Sequence, residues 1–414
     1  MVNSGRENKV LCILPWIHVQ IRQNGVVYPC CRVIHPYSYG SVHEQSLSEI
    51  WNSEAIRRVR LDMLAGKKLS FCEDCYTTEA MGGKSLRQVR NEEFAEELHR
   101  IEKTREDGSV ENEEIVYLDL RFSNICNFRC RSCSPESSNS WFDEYPKLHP
   151  GWVPDQAKTL KVVAADNSVM KDIEHLLPKI KKIYFAGGEP MLETQHYLIL
   201  EKLLELGRTD VHLVYNSNLS RIEHMKWKAL DLWQKFDRVM ISASLDAIGK
   251  PLELVRKGAD WEQTKRNLFL IRAFTPHVDI QIYPTVSVMN CFHLPELVGY
   301  FLKEGYLHDT LDIEFNLLND PDYLNVGILN DREIDTLETR YNEFLASIKE
   351  KCTPELYSYL ASELKRVVTF ARHFDLEKSR DKFRMFTFTL DKMRNEKTGQ
   401  VLPELLQLLY EREP

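Results

Sequence analysis

The sequence has no apolar run of the roughly 20 residues that a membrane-spanning helix requires. Its first residues, Met1 to Lys9, are polar and lack the apolar centre of a secretory signal peptide. We therefore expect a cytoplasmic protein that makes no contact with a membrane. Disulfides are disfavoured in a reducing cytoplasm, so grouped cysteines among the ten in this chain are expected to bind metal.

Clustered basic residues are also missing. The chain carries 54 Lys and Arg residues against 62 Asp and Glu residues, a formal net charge of −8. The nearest approach to a basic run is Lys179, Lys181 and Lys182, which Ile180 interrupts, as is typical of a solvated helix end before a strand. Because binding to a phosphate backbone needs clustered Lys and Arg, the sequence contains no strong nucleic-acid signal. It also contains no internal repeat and no low-complexity segment.

A chain of 414 residues is too long for one small core, and its patterning divides it into four zones. We predict an N-terminal module at residues 9–82 and a charged helical linker at 83–113. An α/β region follows at 114–330, and a mainly helical C-terminal extension occupies 331–414.

The first zone combines a hairpin signal with a helix signal. An apolar stretch, the turn Asn24-Gly25 and the extended piece Val26–Tyr28 predict a β-hairpin. Ser46 and Glu49 form a capping box, which predicts that one helix begins here and ends near Gly66.

Strand and helix signals alternate through the third zone. The predicted strands are Ile115–Phe122, Ile183–Ala186, His212–Tyr215, Arg238–Ser244, Asp279–Val288 and Leu311–Phe315. The predicted helices include Tyr197–Leu206, Met225–Lys235, Trp261–Phe274 and Leu294–Lys303. Strands followed by helices indicate a parallel sheet with helices packed outside it, in which the chemistry takes place at the carboxyl ends of the strands.

Three cysteines follow the first of these strands with the spacing CxxxCxxC: Cys126, Cys130 and Cys133. Three thiolates on one short loop suit three irons of a cubane cluster and leave the fourth iron open to a cofactor or substrate. The alternative is a zinc knuckle whose fourth ligand lies elsewhere in the chain.

The second strand leads into Gly187-Gly188-Glu189-Pro190. This segment and the cysteine motif together resemble the radical S-adenosylmethionine (SAM) superfamily over roughly residues 115–320. The resemblance implies a partial (β/α)6 TIM-like barrel and a 4Fe–4S cluster whose open iron is chelated by SAM. It further implies an electron donor such as flavodoxin or ferredoxin, and reductive cleavage of SAM to a 5′-deoxyadenosyl radical.

The same resemblance suggests which residues meet SAM. Gly187 and Gly188 allow a ligand to approach the backbone, although a plain turn is the better explanation for an isolated Gly-Gly pair. Glu189 suits the SAM amino group. Ser132 stands where the family often has an aromatic residue, so adenine packing is assigned to Phe128. Four residues that end the third and fourth strands are expected to serve the SAM ribose and carboxylate, to face the substrate, or to act as turn and cap residues: Asn216, Asn218, Ser242 and Ser244.

Four more cysteines precede the α/β region: Cys12, Cys30, Cys72 and Cys75. Their spacing fits structural zinc or a fully ligated iron–sulfur cluster. The stretches Cys-Ile-Leu-Pro-Trp-Ile-His, Gly-x-x-x-x-Cys and Leu-Ser-Glu-Ile-Trp-Asn-Ser resemble the auxiliary module of SPASM/twitch radical SAM proteins. That module usually follows the barrel and here precedes it. Four cysteines imply one auxiliary 4Fe–4S cluster, from which the neighbouring Cys31 is left out.

Candidate catalytic residues lie near the end of the α/β region. Glu314 is a candidate base, with a buried structural carboxylate as the equal alternative. Cys291 follows the fifth strand, where the position allows a substrate-facing or redox role, although a packed small residue is the commoner explanation. The tail segment Phe383–Leu408, with Asp391 and Arg394, is a candidate cap for the barrel mouth, although a plain packing helix is the commoner explanation.

The reaction is left open by the sequence. An auxiliary cluster suggests a net oxidation or cross-link, and the N-terminal place of the module favours a small-molecule, sugar or nucleotide substrate. The first alternative is a maturase of a ribosomal peptide or protein. The alternative of another class is a zinc- or iron–sulfur-binding structural or regulatory protein without catalysis.

Overall fold

The computed structural model describes residues 8–410, except 34–35, 81–82, 111–113, 154–156 and 164–167. Its strands are β1 (His18–Ile21), β2 (Val26–Tyr28), β3 (Gly40–Ser41), β4 (Tyr117–Leu120), β5 (Arg129–Cys130), β6 (Lys182–Phe185), β7 (His212–Ser217), β8 (Glu223–His224), β9 (Trp227–Lys228), β10 (Val239–Ala243), β11 (Arg256–Lys257), β12 (Val278–Ile282), β13 (Thr285–Val286) and β14 (Asn316–Leu317).

Its α-helices are α1 (Leu14–Ile17), α2 (Leu47–Trp51), α3 (Glu54–Leu64), α4 (Glu73–Ala80), α5 (Leu86–Glu93), α6 (Tyr145–Leu148), α7 (Ser168–Leu176), α8 (Thr194–Glu205), α9 (Ala229–Trp233), α10 (Gly249–Val255), α11 (Trp261–Phe274), α12 (Leu294–Lys303), α13 (Asp331–Ile348), α14 (Pro354–His373), α15 (Arg380–Arg394), α16 (Thr398–Val401) and α17 (Leu406–Tyr410). Short 3₁₀ helices lie between them, the longest at Ala95–Lys103. Among the described helices, none has the length and apolar character needed to span a membrane.

The chain forms two compact units. The first comprises the residues up to Ile125, together with Thr159–Val214 and Gln234–Val239. The second comprises Cys126–Lys158, Tyr215–Trp233 and the residues from Met240 onward. Strands β7 and β10 each begin in the first unit and end in the second.

The sheet of the first unit has the strand order β3-β2-β1-β4-β6, followed by the start of β7. Strand β1 pairs antiparallel with β2 and parallel with β4, which in turn pairs parallel with β6. Every residue of β1 and β4 is buried, as expected for strands covered on both faces. The parallel pairing of β1 with β4 was not anticipated, because periodicity alone does not reveal which strand an N-terminal hairpin joins.

In the second unit the end of β7 is followed by β10 and β12. Three two-stranded ribbons lie beside this sheet: β5 with β11 and β8 with β9, both antiparallel, and β13 with β14, which is parallel. Helices α13 and α14 pack against each other after the last strand. A buried ion pair between Arg380 and Glu333, 2.7 Å between nitrogen and oxygen, ties the start of α15 to α13. The α/β class is thus confirmed, while closure as a partial barrel stays a prediction.

Several predicted elements match the structure and others need correction. The hairpin at Asn24-Gly25 is confirmed, with Gly25 at φ +78°. The predicted strand Asp279–Val288 is divided into β12 and β13, because Pro284 lacks the N–H that would continue the ladder. The predicted last strand, Leu311–Phe315, is wrong in position, because only Ile313 bridges to Ile282 there and the strand itself is β14.

Two helix predictions also change. The capping box of Ser46 and Glu49 is confirmed, but the helix breaks at Asn52, and Ser53 precedes a second helix, α3. The predicted helix Met225–Lys235 is wrong over its first half, since the hairpin of β8 and β9 precedes the short helix α9. By contrast, α11 and α12 have the predicted bounds.

Candidate functional site

The cysteine loop, residues 126–133 of the second unit, has a backbone fixed by its surroundings. Its strand β5 pairs with β11, so that Cys130 lies opposite Arg256. The Cys133 amide donates to the Cys130 carbonyl at 3.0 Å, and the Trp141 indole Nε1 donates to the same oxygen at 3.0 Å. The loop is therefore held in one conformation by bonds that need no ligand on the thiols.

The thiols of this loop accept hydrogen bonds from nitrogen donors. Cys126 Sγ accepts from the Phe128 amide at 3.5 Å and from Asn218 Nδ2 at 3.9 Å. Cys130 Sγ accepts from Nη1 of Arg256 at 3.8 Å. Burial raises the pKa of the Cys130 thiol to about 12, against the opposing charge of Arg256. Donors aimed at the sulfurs stabilise thiolates, which are the form that binds metal.

Arginines between the cysteines are bound by the C-terminal region of the same unit. Arg131 is fully buried and its Nη2 lies 2.9 Å from both Asp391 and Glu396. Arg394 and Arg129 share the carboxylate of Glu144, at 2.8 and 2.6 Å. The tail residues proposed as a cap for the barrel mouth thus contact the cysteine loop, and a capping role at the mouth stays a prediction.

The segment Gly187-Gly188-Glu189 belongs to the first unit and lies against the chain that leads into the cysteines. The Gly188 amide donates to Ser123 at 3.0 Å and the Glu189 amide donates to Ile125 at 2.8 Å. A Cβ on Gly188 would lie 2.1 Å from the Ile125 carbonyl oxygen. Gly187 adopts φ +112°, a region that favours glycine. Position 188 therefore requires glycine because the backbone of residue 125 lies against it. The sequence had suggested a bound ligand or a plain turn as the reason instead.

The carboxylate of Glu189 is buried, and one of its oxygens accepts from the Met191 amide at 3.2 Å. It therefore caps the short 3₁₀ helix that begins at Pro190. A contact with the SAM amino group stays a prediction for this residue.

The strand-end residues of the second unit divide into buried and partly exposed positions. Asn218 is buried, and its Nδ2 also donates to Asn127 Oδ1 at 3.1 Å, which ties the end of β7 to the cysteine loop. Ser242 is buried and donates to Gln281 at 3.0 Å, whereas Ser244 and Asn216 are partly exposed. Asn218 thus contacts the cysteine loop directly, and the roles of all four residues toward SAM stay predictions.

Phe128, the residue assigned to adenine, is buried and lies against Gly258, where an added Cβ would be 3.0 Å from its ring. Its carbonyl accepts from Ser138 at 2.6 Å. The Phe128 ring is therefore buried within the packing of the cysteine loop against Gly258, and its contact with adenine stays a prediction.

The candidate catalytic residues differ in exposure. Cys291 is fully buried, and its thiol donates to the Val288 carbonyl at 3.7 Å. Burial raises the pKa of this thiol, which favours the packed small residue that the sequence also allowed. Glu314 is exposed and interacts electrostatically with Tyr359 and Arg366 of α14, so the alternative of a buried carboxylate does not apply. Its role as a base stays a prediction.

The four upstream cysteines all belong to the first unit and influence one another electrostatically. Burial first, and the neighbouring thiols second, raise the pKa of Cys72 to about 12, with Cys12 and Cys75 as those neighbours. Burial also raises the pKa of Cys12 to about 12 and that of Cys30 well above its ordinary value. Burial also raises the pKa of Cys75, and Arg87, which pairs with Glu79 at 2.5 Å, opposes the increase at Cys12 and Cys75.

These thiols have the chemistry of an iron–sulfur site. In the described part of the chain no group of three or more His, Cys, Asp or Glu side chains is arranged to hold a metal ion. The fit rests on the donors: thiols outside any disulfide that raise one another's pKa, and N–H groups directed at sulfur on the cysteine loop. Bound iron would stabilise these thiolates against burial, the main cause of the raised pKa values, and against the smaller repulsion between neighbouring thiols.

Sequence reasoning missed Arg131 and Arg256, and it named Asp391 without its pairing to Arg131. Arg131 was visible between two cysteines, but its partners lie about 260 positions further along the chain. No local pattern marks such a pair.

Two family models match the chain. Residues 120–285 match the radical SAM superfamily, and residues 12–76 match an iron–sulfur cluster-binding domain, SPASM. The order of the two matches confirms the expected order of the modules. The first match implies SAM and a 4Fe–4S cluster as cofactors, and the second implies auxiliary iron–sulfur clusters. None of the curated proteins matches the chain.

Proposed function

We propose that the protein abstracts hydrogen from a substrate by means of a 5′-deoxyadenosyl radical. The chain matches a radical SAM domain and a SPASM domain, and the proposal proceeds from these matches. The cysteine loop would hold the SAM-binding cluster through Cys126, Cys130 and Cys133, within a partial barrel. Cys12, Cys30, Cys72 and Cys75 would hold one auxiliary 4Fe–4S cluster that aids oxidation of the substrate. When bound, the first cluster and SAM supply the radical chemistry.

One observation carries the proposal: the cysteine loop offers three thiols, one fewer than a closed cubane cluster requires, on a backbone fixed without a ligand. Arg256 and Asn218 direct donors at two of these sulfurs. Hydrogen bonds to ligand sulfurs are a principal means by which proteins tune such clusters.

The remaining protein groups have positioning roles. Gly188 admits the backbone of Ile125 and so fixes the start of the cysteine loop. Glu189, Asn216, Ser242 and Ser244 are proposed to bind or orient SAM, and Glu314 is proposed to accept a proton from the substrate radical.

A small molecule, sugar or nucleotide is the proposed substrate class. The support is the order of the two matches, with the SPASM match at residues 12–76 ahead of the radical SAM match at residues 120–285. A short precursor peptide encoded beside the gene would instead favour maturation of a ribosomal peptide or protein.

The test is anaerobic reconstitution followed by iron analysis and reduction in the presence of SAM. We expect brown protein with about eight irons if both clusters are 4Fe–4S, and formation of 5′-deoxyadenosine. The variant Cys126→Ser should lose SAM cleavage, while Cys352→Ser, whose thiol bonds Ile348 in the helical tail, should keep it. Colourless protein that retains zinc and never cleaves SAM would establish the non-catalytic alternative. If SAM is cleaved, deuterium transfer from candidate substrates into 5′-deoxyadenosine would identify the substrate.

A further inference from the structure

One side of the sheet in the first unit is polar although it is buried. Register places His18 opposite Tyr117 and Gln20 opposite Asp119, while Tyr117 also lies opposite Lys182. Directly paired residues project to the same side of a sheet, as do residues two apart on one strand. We call this set the polar face; its members are His18, Gln20, Tyr117, Asp119, Arg121, Lys182 and Tyr184.

Two cations stand over the ring of Tyr117. The Lys182 Nζ lies 5.3 Å and the Arg90 guanidinium carbon 5.6 Å from the ring centroid. Glu93 is the carboxylate that both cations share; it lies 2.5 Å from Lys182 and is also bonded to Arg90. Two cations and one carboxylate therefore give this end of the polar face a net charge of +1.

The other end of the polar face is balanced in charge. Arg121 donates to both oxygens of Asp119, at 3.1 and 3.2 Å, and Gln20 donates to Asp119 at 2.7 Å. Burial lowers the pKa of His18 to about 4, so this side chain adds no charge near neutral pH. The groups named here thus sum to one net positive charge, and the Gln20 Oε1 atom is buried without a hydrogen-bond partner among the described residues.

Two of the cations at this face, Arg90 and Arg121, can be reached from solvent, whereas the side chain of Lys182 is only 8% exposed. The side chains of Arg90 and Arg121 are 21% and 22% exposed, and that of Glu93 is 28% exposed, whereas Asp119 is only 3% exposed. The exposed thiol of Cys31 also interacts electrostatically with both arginines and with Tyr117. The accessible part of the face is therefore positive.

The position of Arg121 suits a ligand site. It follows the last residue of β4, and its Cβ would lie 3.1 Å from a Cβ on Gly187. Ligands of α/β sheets bind at the carboxyl ends of strands. Arg121 is thus at the ligand-binding end of the sheet, next to the glycine segment assigned to the cofactor.

From this geometry we infer that the substrate carries an anionic group, a carboxylate or a phosphate, which the guanidinium groups of Arg90 and Arg121 bind. The inference rests on the proposed function in taking this ligand to be the substrate. Arginine forks suit both anions, because each offers two oxygens to parallel N–H donors.

The experiment is isothermal titration of the full chain at low salt with inorganic phosphate in one arm and succinate in the other. Saturable binding in either arm is expected, and the tighter arm identifies the anion. Arg121→Gln and Arg90→Gln should each weaken that binding by about tenfold or more. Arg121→Lys keeps the charge and should restore part of it. The matched control Arg58→Gln removes a cation that is 67% exposed on α3 and should leave binding within about twofold.

Absence of saturable binding in both arms would overturn the inference, as would an equal loss in Arg58→Gln. Circular dichroism of each variant shows whether lost binding reflects lost folding; if Arg121→Gln is unfolded, Arg121→Lys and Arg90→Gln decide. Formation of 5′-deoxyadenosine by the wild-type holoenzyme is measured separately. Cleavage of SAM without anion binding would refute the inference alone, and anion binding without cleavage would refute the proposed function alone.

Discussion

The guanidinium of Arg131, between two cysteines of the cysteine loop, lies 2.9 Å from the carboxylate of Asp391 in helix α15. The two residues are separated by 260 positions. Asp391 also accepts from the amide and the hydroxyl of Thr398, both at 2.7 Å. A single carboxylate thus joins the cysteine loop to two segments of the C-terminal region.

Replacing Asp391 by Asn is expected to loosen this junction. The fully buried Arg131 would keep only Glu396 as an anionic partner, and a buried charge that loses a partner destabilises the folded state. We expect the free energy of unfolding in urea to fall by about 2 kcal/mol and iron retention after reconstitution to fall with it.

The control for that variant is Asp381→Asn on the same helix. Asp381 is 89% exposed and pairs with Arg384 at the surface, so its loss should change stability by less than about 0.5 kcal/mol. Equal effects of the two substitutions would show that the Arg131 contact does not stabilise the loop.

Arg256 is expected to set the reduction potential of the cluster on the cysteine loop. Its Nη1 donates to Cys130 Sγ, and a cation at a ligand sulfur favours the reduced, more negative cluster. Arg256→Gln should lower the potential by roughly 60 mV, a tenfold change in a one-electron equilibrium. An electron paramagnetic resonance titration without SAM measures this shift.

Arg256 also pairs with the buried Asp246, at 2.7 Å, so its removal alone leaves a buried carboxylate. The double variant Arg256→Gln with Asp246→Asn avoids that charge. Because it also removes an anion that acts on Cys130, its potential should fall by less than that of Arg256→Gln. Arg266→Gln, an exposed cation on α11, is the control and should leave the potential unchanged. An equal shift of the reduction potential in Arg256→Gln and in Arg266→Gln would contradict the role assigned to Arg256.

How far the sequence predicts this fold depends on whether the signal is local. Helices α11 and α12 have the predicted bounds because their start signals and periodicity lie within the segments themselves. Strand β14 was missed because two residues carry no period, and only pairing with β13 defines them. Residues 225–228 were predicted as helix from their helical spacing, because the sequence does not reveal that Met225 adopts φ +50° between β8 and β9.

The candidate site shows the same division. Seven cysteines could be proposed as ligands from their spacing and from the family resemblance, because both are properties of the chain itself, and their role as ligands stays a prediction. Arg131 and Arg256 could not be assigned, because their partners come from elements brought near only by folding. The polar face was hidden for a related reason: β1 and β4 are buried on both sides, so alternation could not reveal charged residues paired across strands.

Gly188 is expected to tolerate no side chain. In Gly188→Ala the added methyl would meet the Ile125 carbonyl oxygen at 2.1 Å, and this backbone atom cannot move without shifting the start of the cysteine loop. We expect a loss of about 2 kcal/mol in urea unfolding and weaker iron retention. Gly299→Ala, in helix α12, is the control. Its added methyl would lie 3.5 Å from the side chain of Phe344, and the stability of this variant should not fall. A wild-type stability for Gly188→Ala would show that the segment 123–125 is free to move.

His18 is expected to make stability depend on pH below neutrality. Burial lowers the pKa of His18 to about 4 from its ordinary 6.5, while its Nδ1 lies 3.1 Å from the Pro29 carbonyl and donates to it in the neutral ring. Between these two values the unfolded chain binds the proton and the folded chain does not, so stability falls as pH decreases from 6.5 toward 4.

From pH 7 to pH 5 the contribution of His18 amounts to a loss of about 2 kcal/mol in the free energy of unfolding. His18→Gln cannot take up this proton. Over the same pH range its free energy of unfolding should therefore fall by about 2 kcal/mol less than that of the wild type. His99→Gln, an exposed histidine of the same unit, should follow the wild-type curve. Urea unfolding at both pH values measures all three proteins. Parallel pH profiles for the wild type and His18→Gln would show that His18 does not remain neutral in the folded chain.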